Sequence, residues 1–129
     1  MKINKSISEW VEKAEGDYET VVDLIKKRRK RQRYIIAFHC QQCVEKYLKA
    51  LLLVYHRIEF PRQHDLEELL ALLLRKDPLL APLRDELKQL TPFAVAFRYP
   101  GEEINSEESK KAVSMAKRLR VILRERLGL

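Results

Sequence analysis

Residues 34–55 read YIIAFHCQQCVEKYLKALLLVY. Placed on a helix, Ile36, Cys40, Cys43, Val44, Tyr47, Leu48, Leu51 and Tyr55 recur at steps of three and four and form one broad apolar face. The reverse side carries Gln42, Glu45 and Lys49 one above the other, with Phe38 and Leu52 at the two ends of that polar row. A surface helix needs only one apolar stripe, so a helix that is apolar on most sides is expected at the centre of its domain, touching neighbours on more than one side.

Working outward, the flanks repeat the helical pattern. Ser6 with Glu9 has the form of a capping box, and Ile7, Trp10, Val11, Ala14, Tyr18, Val21, Val22 and Ile25 follow at helical spacing. Asp17 lies at the edge of that face and needs a partner from a neighbouring helix. The central helix is expected to end near His56, ahead of Phe60 and Pro61. Asp65 with Glu68 opens a short third helix through Leu66, Leu69, Leu70 and Leu73, which Asp77 and Pro78 stop. Pro82 suits the start of a fourth, continued by Leu83, Leu87 and Leu90, that Thr91 and Pro92 interrupt or kink. After Arg98, Tyr99, Pro100 and Gly101, Asn105 with Glu108 caps a last helix that buries Ala112, Met115, Ala116, Leu119, Ile122 and Leu123. No stretch alternates as a strand does. The expected fold is all-α: one domain over residues 1–129, an up-and-down antiparallel bundle of four long helices plus one short helix.

Composition sets the outer limits. With 129 residues, 46% hydrophobic and 35% charged, the chain has the make-up of one soluble domain with a single core. No apolar run approaches the roughly 20 residues of a membrane span, and residues 1–7 lack the apolar block of a signal peptide, so a cytoplasmic location is expected. A formal charge of +7 attracts polyanions or an acidic partner. Much of it sits in residues 26–33, KKRRKRQR, where Lys26, Lys27, Arg28, Arg29, Lys30, Arg31 and Arg33 stand together. Two readings stay open for this run: a solvated turn whose cations complement a helix C-terminus, and a contact for nucleic acid or an acidic protein. No aromatic residue is interleaved with these charges, which argues against a single-strand stacking platform.

Cys40 and Cys43 match C-x-x-C, but both project from the apolar face of a helix interior, and a structural zinc needs four ligands where only three histidines are on offer. Buried inert thiols and no metal site are expected. With three unclustered glycines there is no phosphate loop.

The combination of QQCVEKYLKALL at residues 41–52, His64, Asp65 and Leu66 at the start of a short helix, and Arg98, Tyr99 and Pro100 before a last helix resembles the HEPN family of prokaryotic helical domains. The likeness takes in Trp10 and Asp17 and so spans nearly the whole chain. It implies a helical bundle of four or five helices, homodimerisation, and a neighbouring minimal nucleotidyltransferase as partner in a two-component, toxin–antitoxin-like pair. Many members of the family are also metal-independent ribonucleases, whose motif is Arg, four to six residues, then His near the start of the last long helix. This chain departs from it, since no histidine follows Arg98. Arg33 with His39 matches the spacing by accident, but on a helix the two side chains point about 240° apart. Cleavage without metal needs a positioned acid or base and a cation for the developing charge. Arg98 suits the cation, and only His64 or Tyr99 would be left for the proton.

Binding is the reading the residues favour. Gln42, Glu45, Lys46, Lys49, His64, Arg98 and Tyr99 are the expected ligand site, suited to a phosphate-bearing ligand such as a nucleotide or to an acidic partner surface. No cofactor is expected. The alternatives are a ribonuclease toxin using Arg98 with His64, and a structural assembly module in which Glu45 and Lys49 are simply an i, i+4 pair and Arg98 braces Asp17 or Glu45. Phe38 and Leu52 beside the polar row also make that side a candidate dimer surface.

Overall fold

Alternation of apolar and charged residues with a period near 3.6 leaves this chain one solution, which is to wrap amphipathic helices around the one helix that is apolar nearly all round. The computed structural model describes residues 3–56, 64–95 and 99–129. It contains five α-helices and, among the described residues, no strand: α1 (Lys5–Lys27), α2 (Arg33–Val54), α3 (Leu66–Leu74), α4 (Arg84–Leu90) and α5 (Ser106–Arg126). Short 3-10 turns at Lys30–Gln32, Pro78–Leu83 and Thr91–Ala94 complete it.

The quoted stretch is the centre. Twelve residues of α2 are buried, from Ile36 to Leu52, where α1 buries five. Two neighbours cover most of it: α1 and α5 pack along its length, with α3 and the turn at Thr91–Ala94 closing the remaining side. Leu52 is 1% exposed, so the expected apolar dimer surface at Phe38 and Leu52 loses one of its two members to the chain's own core. Phe38 instead meets the edge of His39 at 5.2 Å between ring centres.

The helix ends follow capping chemistry, with one correction to the sequence expectation. Asn4, not Ser6, caps α1: its extended backbone and short side chain let the carboxamide oxygen accept from the Ile7 backbone N–H at 2.9 Å, and Ser6 falls inside the first turn. Asp65 caps α3 alone, accepting from Glu67 N–H at 2.9 Å rather than pairing reciprocally with Glu68. Asn105 and Glu108 do form the full reciprocal box, at 2.8 and 3.2 Å. The expected fourth long helix is a composite, because Pro82 and Pro92 lack N–H groups and admit only tight turns on either side of α4. The Tyr34 hydroxyl donates to the Val95 carbonyl and fastens the end of this segment to α2.

Candidate functional site

Three polar clusters lie between helices, and each is centred on a carboxylate that the bundle has largely removed from water. Burial of a charge is tolerated only where donors surround it.

The first is Asp17 on α1, 8% exposed. Lys46 donates to its Oδ2 at 2.5 Å and the His39 Nδ1 hydrogen to its Oδ1 at 2.7 Å, both from α2. The partner that Asp17 requires therefore comes from two residues one and a half to two turns apart on the neighbouring helix.

The second is Glu45 on α2, 2% exposed. Its Oε1 accepts from Gln41 Nε2 at 3.1 Å and His64 Nδ1 at 2.8 Å, and its Oε2 from Lys49 at 3.0 Å. Gln42 donates to the Gln41 carboxamide oxygen at 2.7 Å, and the Lys49 ammonium also sits 5.2 Å over the Trp10 ring. Burial pushes the Glu45 carboxyl up, but the Gln41 amide, the Lys49 charge and the donated hydrogen bonds outweigh it and hold the group below the ordinary carboxylate value. The His64 side chain is 53% exposed; with Nδ1 on Glu45, its other ring nitrogen is directed away from the carboxylate.

The third cluster joins α1, α2 and α5. Glu15 accepts from Arg120 Nε at 2.8 Å and Nη2 at 2.5 Å and from the Tyr47 hydroxyl at 2.7 Å, while Arg124 Nη1 donates to that same hydroxyl oxygen at 2.8 Å. The Arg120 hydrogen bonds hold the Glu15 carboxyl below its usual range, and desolvation together with Glu15 pushes the Tyr47 hydroxyl well above its own. The Arg120 guanidinium carbon also sits over the Tyr18 ring, 4.2 Å from its centre. This brace was not visible in the sequence. Tyr47 read there as one more apolar position, although the i, i+4 pair Arg120 and Arg124 on one face of the last helix was a signal that an acidic partner faces it.

Of the expected ligand site, the structure brings together Gln42, Glu45, Lys49 and His64. Lys46 turns to the Asp17 side instead. Tyr99 is 66% exposed in the turn closed by the Glu102 N–H on its carbonyl, where Gly101 takes a positive φ of 92°. Arg98 lies outside the described residues. Lys49 holds Glu45 and Lys46 holds Asp17, so the charge that a phosphate would need from either lysine is spoken for.

Uncompensated charge collects elsewhere. Between the end of α1, the Lys30–Gln32 turn, the start of α2 and the first half of α5 lies a groove of about 610 Å³. Arg28, Arg29, Lys30 and Arg33 line it from the end of α1 to the start of α2, and Lys110 and Lys117 from α5, together with Leu24, Ile25, Ile36 and Val113 and with Ser106 and Ser109 in the first turn of α5. No Asp or Glu is among these lining residues, and among the described residues none of the six cations has a carboxylate partner. Lys26, Lys27 and Arg31 are exposed beside it. Arg28 closes α1 in the left-handed region, φ 50° and ψ 38°, where glycine is the usual occupant and another residue costs about 1–2 kcal/mol. Four of the seven basic residues in 26–33 thus line a concavity. Their α5 partners went unnoticed in the sequence, although Ser106, Lys110, Val113 and Lys117 fall on one helical stripe.

Cys40 and Cys43 are fully buried and unpaired in a disulfide. Burial pushes the Cys40 thiol up to about 12 and the Cys43 thiol higher still. Among the described residues no cluster of three or more potential ligands is arranged to hold a metal ion, and no helix is long and apolar enough to cross a membrane.

A helical bundle with three carboxylate clusters between its helices and a groove lined, among the described residues, by six cations and no carboxylate is thus the class of molecule that fold and site define. The model of the HEPN domain family matches residues 7–126, and the chain belongs to that family. No curated protein and no solved structure matches it.

Proposed function

We propose that this HEPN-domain chain is a binding component associated with RNA or nucleotides, which engages the phosphates of its ligand at the basic end of the bundle. The observation that carries the reading is the groove itself: six cations converge on it from two distant stretches of the sequence, and among the described residues no carboxylate pairs with them. Structural ion pairs in this protein are made elsewhere, by Asp17, Glu45 and Glu15, so the bundle does not need these cations for its own cohesion. In this proposal the Gln42, Glu45, Lys49, His64 cluster borders the ligand or the dimer groove rather than holding the phosphate, and the chain works in the cytoplasm as a homodimer. Its expected partner is a minimal nucleotidyltransferase in a two-component, toxin–antitoxin-like system, an assignment supported by the family alone.

A second reading is favoured by one observation. His64 is oriented through Nδ1 by a buried carboxylate and is half exposed, the arrangement that a general acid or base requires. Together with Arg98 it would make the chain a metal-independent ribonuclease despite the absent histidine after Arg98.

Labelled RNA incubated with the protein in excess chelator, and resolved on native and denaturing gels, separates these. A native shift that weakens steeply with salt, with RNA intact, supports binding, since each phosphate contact on a single strand contributes a slope of about −0.7. Cleavage lost in Arg98→Ala and in His64→Ala replaces the first reading by the second. Intact, unshifted RNA at low salt refutes cleavage and RNA binding, and restricts the first reading to free nucleotides.

A further inference from the structure

We propose that Ser106 is a phosphorylation site, and that the phosphate carried on its Oγ seats among the cations of the groove and closes it to other phosphates. The closing of the groove rests on the phosphate-binding reading above; the seating of the phosphate does not.

Among the described serine and threonine residues, two line the groove, Ser106 and Ser109. Ser109 is 7% exposed, too little for an enzyme to reach, and its hydroxyl has no hydrogen-bond partner among the described residues. It is a free donor at the place where a phosphate would lie. Ser106 is half-buried and opens α5. Residues 101–105 ahead of it form no helix and are exposed, apart from the half-buried Ile104. A kinase takes its acceptor in extended form, and the first turn of a helix that follows an irregular stretch opens at least cost. Ser114 is exposed on the same helix but lies about two turns further in, where the helix must be broken on both sides.

A phosphoserine at 106 meets favourable charge from three directions. It carries about −1.5 to −2 at pH 7 and three strong acceptor oxygens. Lys110 is its i, i+4 partner, with the anion on the N-terminal side, the stronger order for such pairs. The first position of a 21-residue helix places it at the positive end of the helix dipole. From the other stretch of sequence Arg28, Arg29 and Arg33 supply planar forks that hold phosphate oxygens in pairs. Glu107 and Glu108 act the other way, but both are exposed and screened, and Glu108 is engaged by the Asn105 backbone in the capping box.

In the transfer, the terminal phosphoryl group of a nucleoside triphosphate passes to Ser106 Oγ. The bond from phosphorus to the nucleoside diphosphate breaks, the Oγ–P bond forms, and the hydroxyl proton goes to the base of the kinase. Once attached, the phosphate is present at an effective concentration on the order of millimolar, so it displaces free phosphate groups that bind the same cations more weakly than this.

The test installs phosphoserine at 106 by amber suppression, and at Ser8, exposed towards the opposite end of α1, as the control. Phosphorus NMR follows the second ionisation, which lies at about 6 in free phosphoserine. It should fall well below that value at 106, stay near it at 8, and return towards it when Lys110→Glu/Lys117→Glu, shown by melting to be folded, is added to the 106 phosphoprotein. At physiological salt a labelled RNA 10-mer should bind the 106 phosphoprotein at least tenfold more weakly than the unmodified chain, with binding retained in the Ser8 phosphoprotein. A serine kinase chosen because it labels a peptide of residues 101–112 should, with ATP, also label Ser106 in the folded protein, as mapped by mass spectrometry. A phosphate at 106 that titrates like the one at 8, RNA binding that survives it, or a folded protein left unlabelled at Ser106 overturns the proposal. If the unmodified protein binds neither the RNA nor ATP, the phosphate-binding reading falls, and with it the closing of the groove, while the NMR titration still decides the seating.

Discussion

Replacing Glu45 by alanine takes one acceptor away from three donors at once. The carboxylate is 2% exposed and receives Gln41, Lys49 and His64 within 3.1 Å. His64 is half in water and recovers much of its loss there, so the cost falls on Lys49, whose side chain is 14% exposed, and on the buried Gln41 amide. Removing one partner of a buried pair typically costs about 3–5 kcal/mol. With an unfolding entropy of about 2.1 cal/mol/K per residue over 129 residues, that corresponds to a fall in Tm of about 11–18 °C. Glu86→Ala, which removes the carboxylate from Arg118 on the outer face of α5, is the control and should cost under about 1 kcal/mol, or less than about 4 °C. Both are read by circular dichroism melting at pH 7 and by urea titration. A Glu45→Ala protein that melts within about 4 °C of the parent would show that water already reaches the cluster, and the account of α2 as a helix covered on its polar side would be wrong.

The acid limb of stability is set by the same groups. Glu15 and Glu45 both ionise below the ordinary value of 4.5, so the unfolded chain takes up protons first; their contribution is complete above that value and is lost as pH falls through the folded-state pKa. Melting temperature should drop steeply below about pH 4.5 in the parent and more gently in Glu45→Gln, and an unchanged slope in that variant would count against the assignment. Tyr47→Phe deletes the hydroxyl that bridges Glu15 and Arg124 and should cost about 1–3 kcal/mol, seen as a lower urea midpoint; a neutral outcome would make the bridge incidental. Native Cys40 and Cys43 should resist a thiol-specific chromogenic reagent at pH 8 until denaturant is added, and labelling of the folded protein within minutes would contradict their burial.

The identity and centrality of α2 were legible because an all-round apolar helix has one place to go. Asp17 was legible as a residue in need of a partner, since a carboxylate at the rim of an apolar stripe is costly alone. What supplied the partner was not, because His39 and Lys46 meet α1 through an interhelical rotation that periodicity does not encode. Of the Glu45 cluster, Gln42, Glu45 and Lys49 were legible from spacing within one helix, whereas Gln41, which donates to Glu45, read as no part of that row, and His64 joins from the segment before α3 through packing. Lys46 shares its neighbourhood in sequence and leaves it in space, one residue being about 100° around the helix. The basic groove was half legible: the run at residues 26–33 is plain in composition, whereas Lys110 and Lys117 join it only through packing between the first and last elements. Asn4 took the cap from Ser6 because both are competent there, and the choice falls to where α1 first packs.

The groove draws one wall from a turn near residue 30 and the other from a helix that begins at residue 106. The two sides are therefore far apart in sequence. The α1 and α2 hairpin by itself presents only part of the cationic surface. The converging charges therefore exist only once α5 has docked on α2.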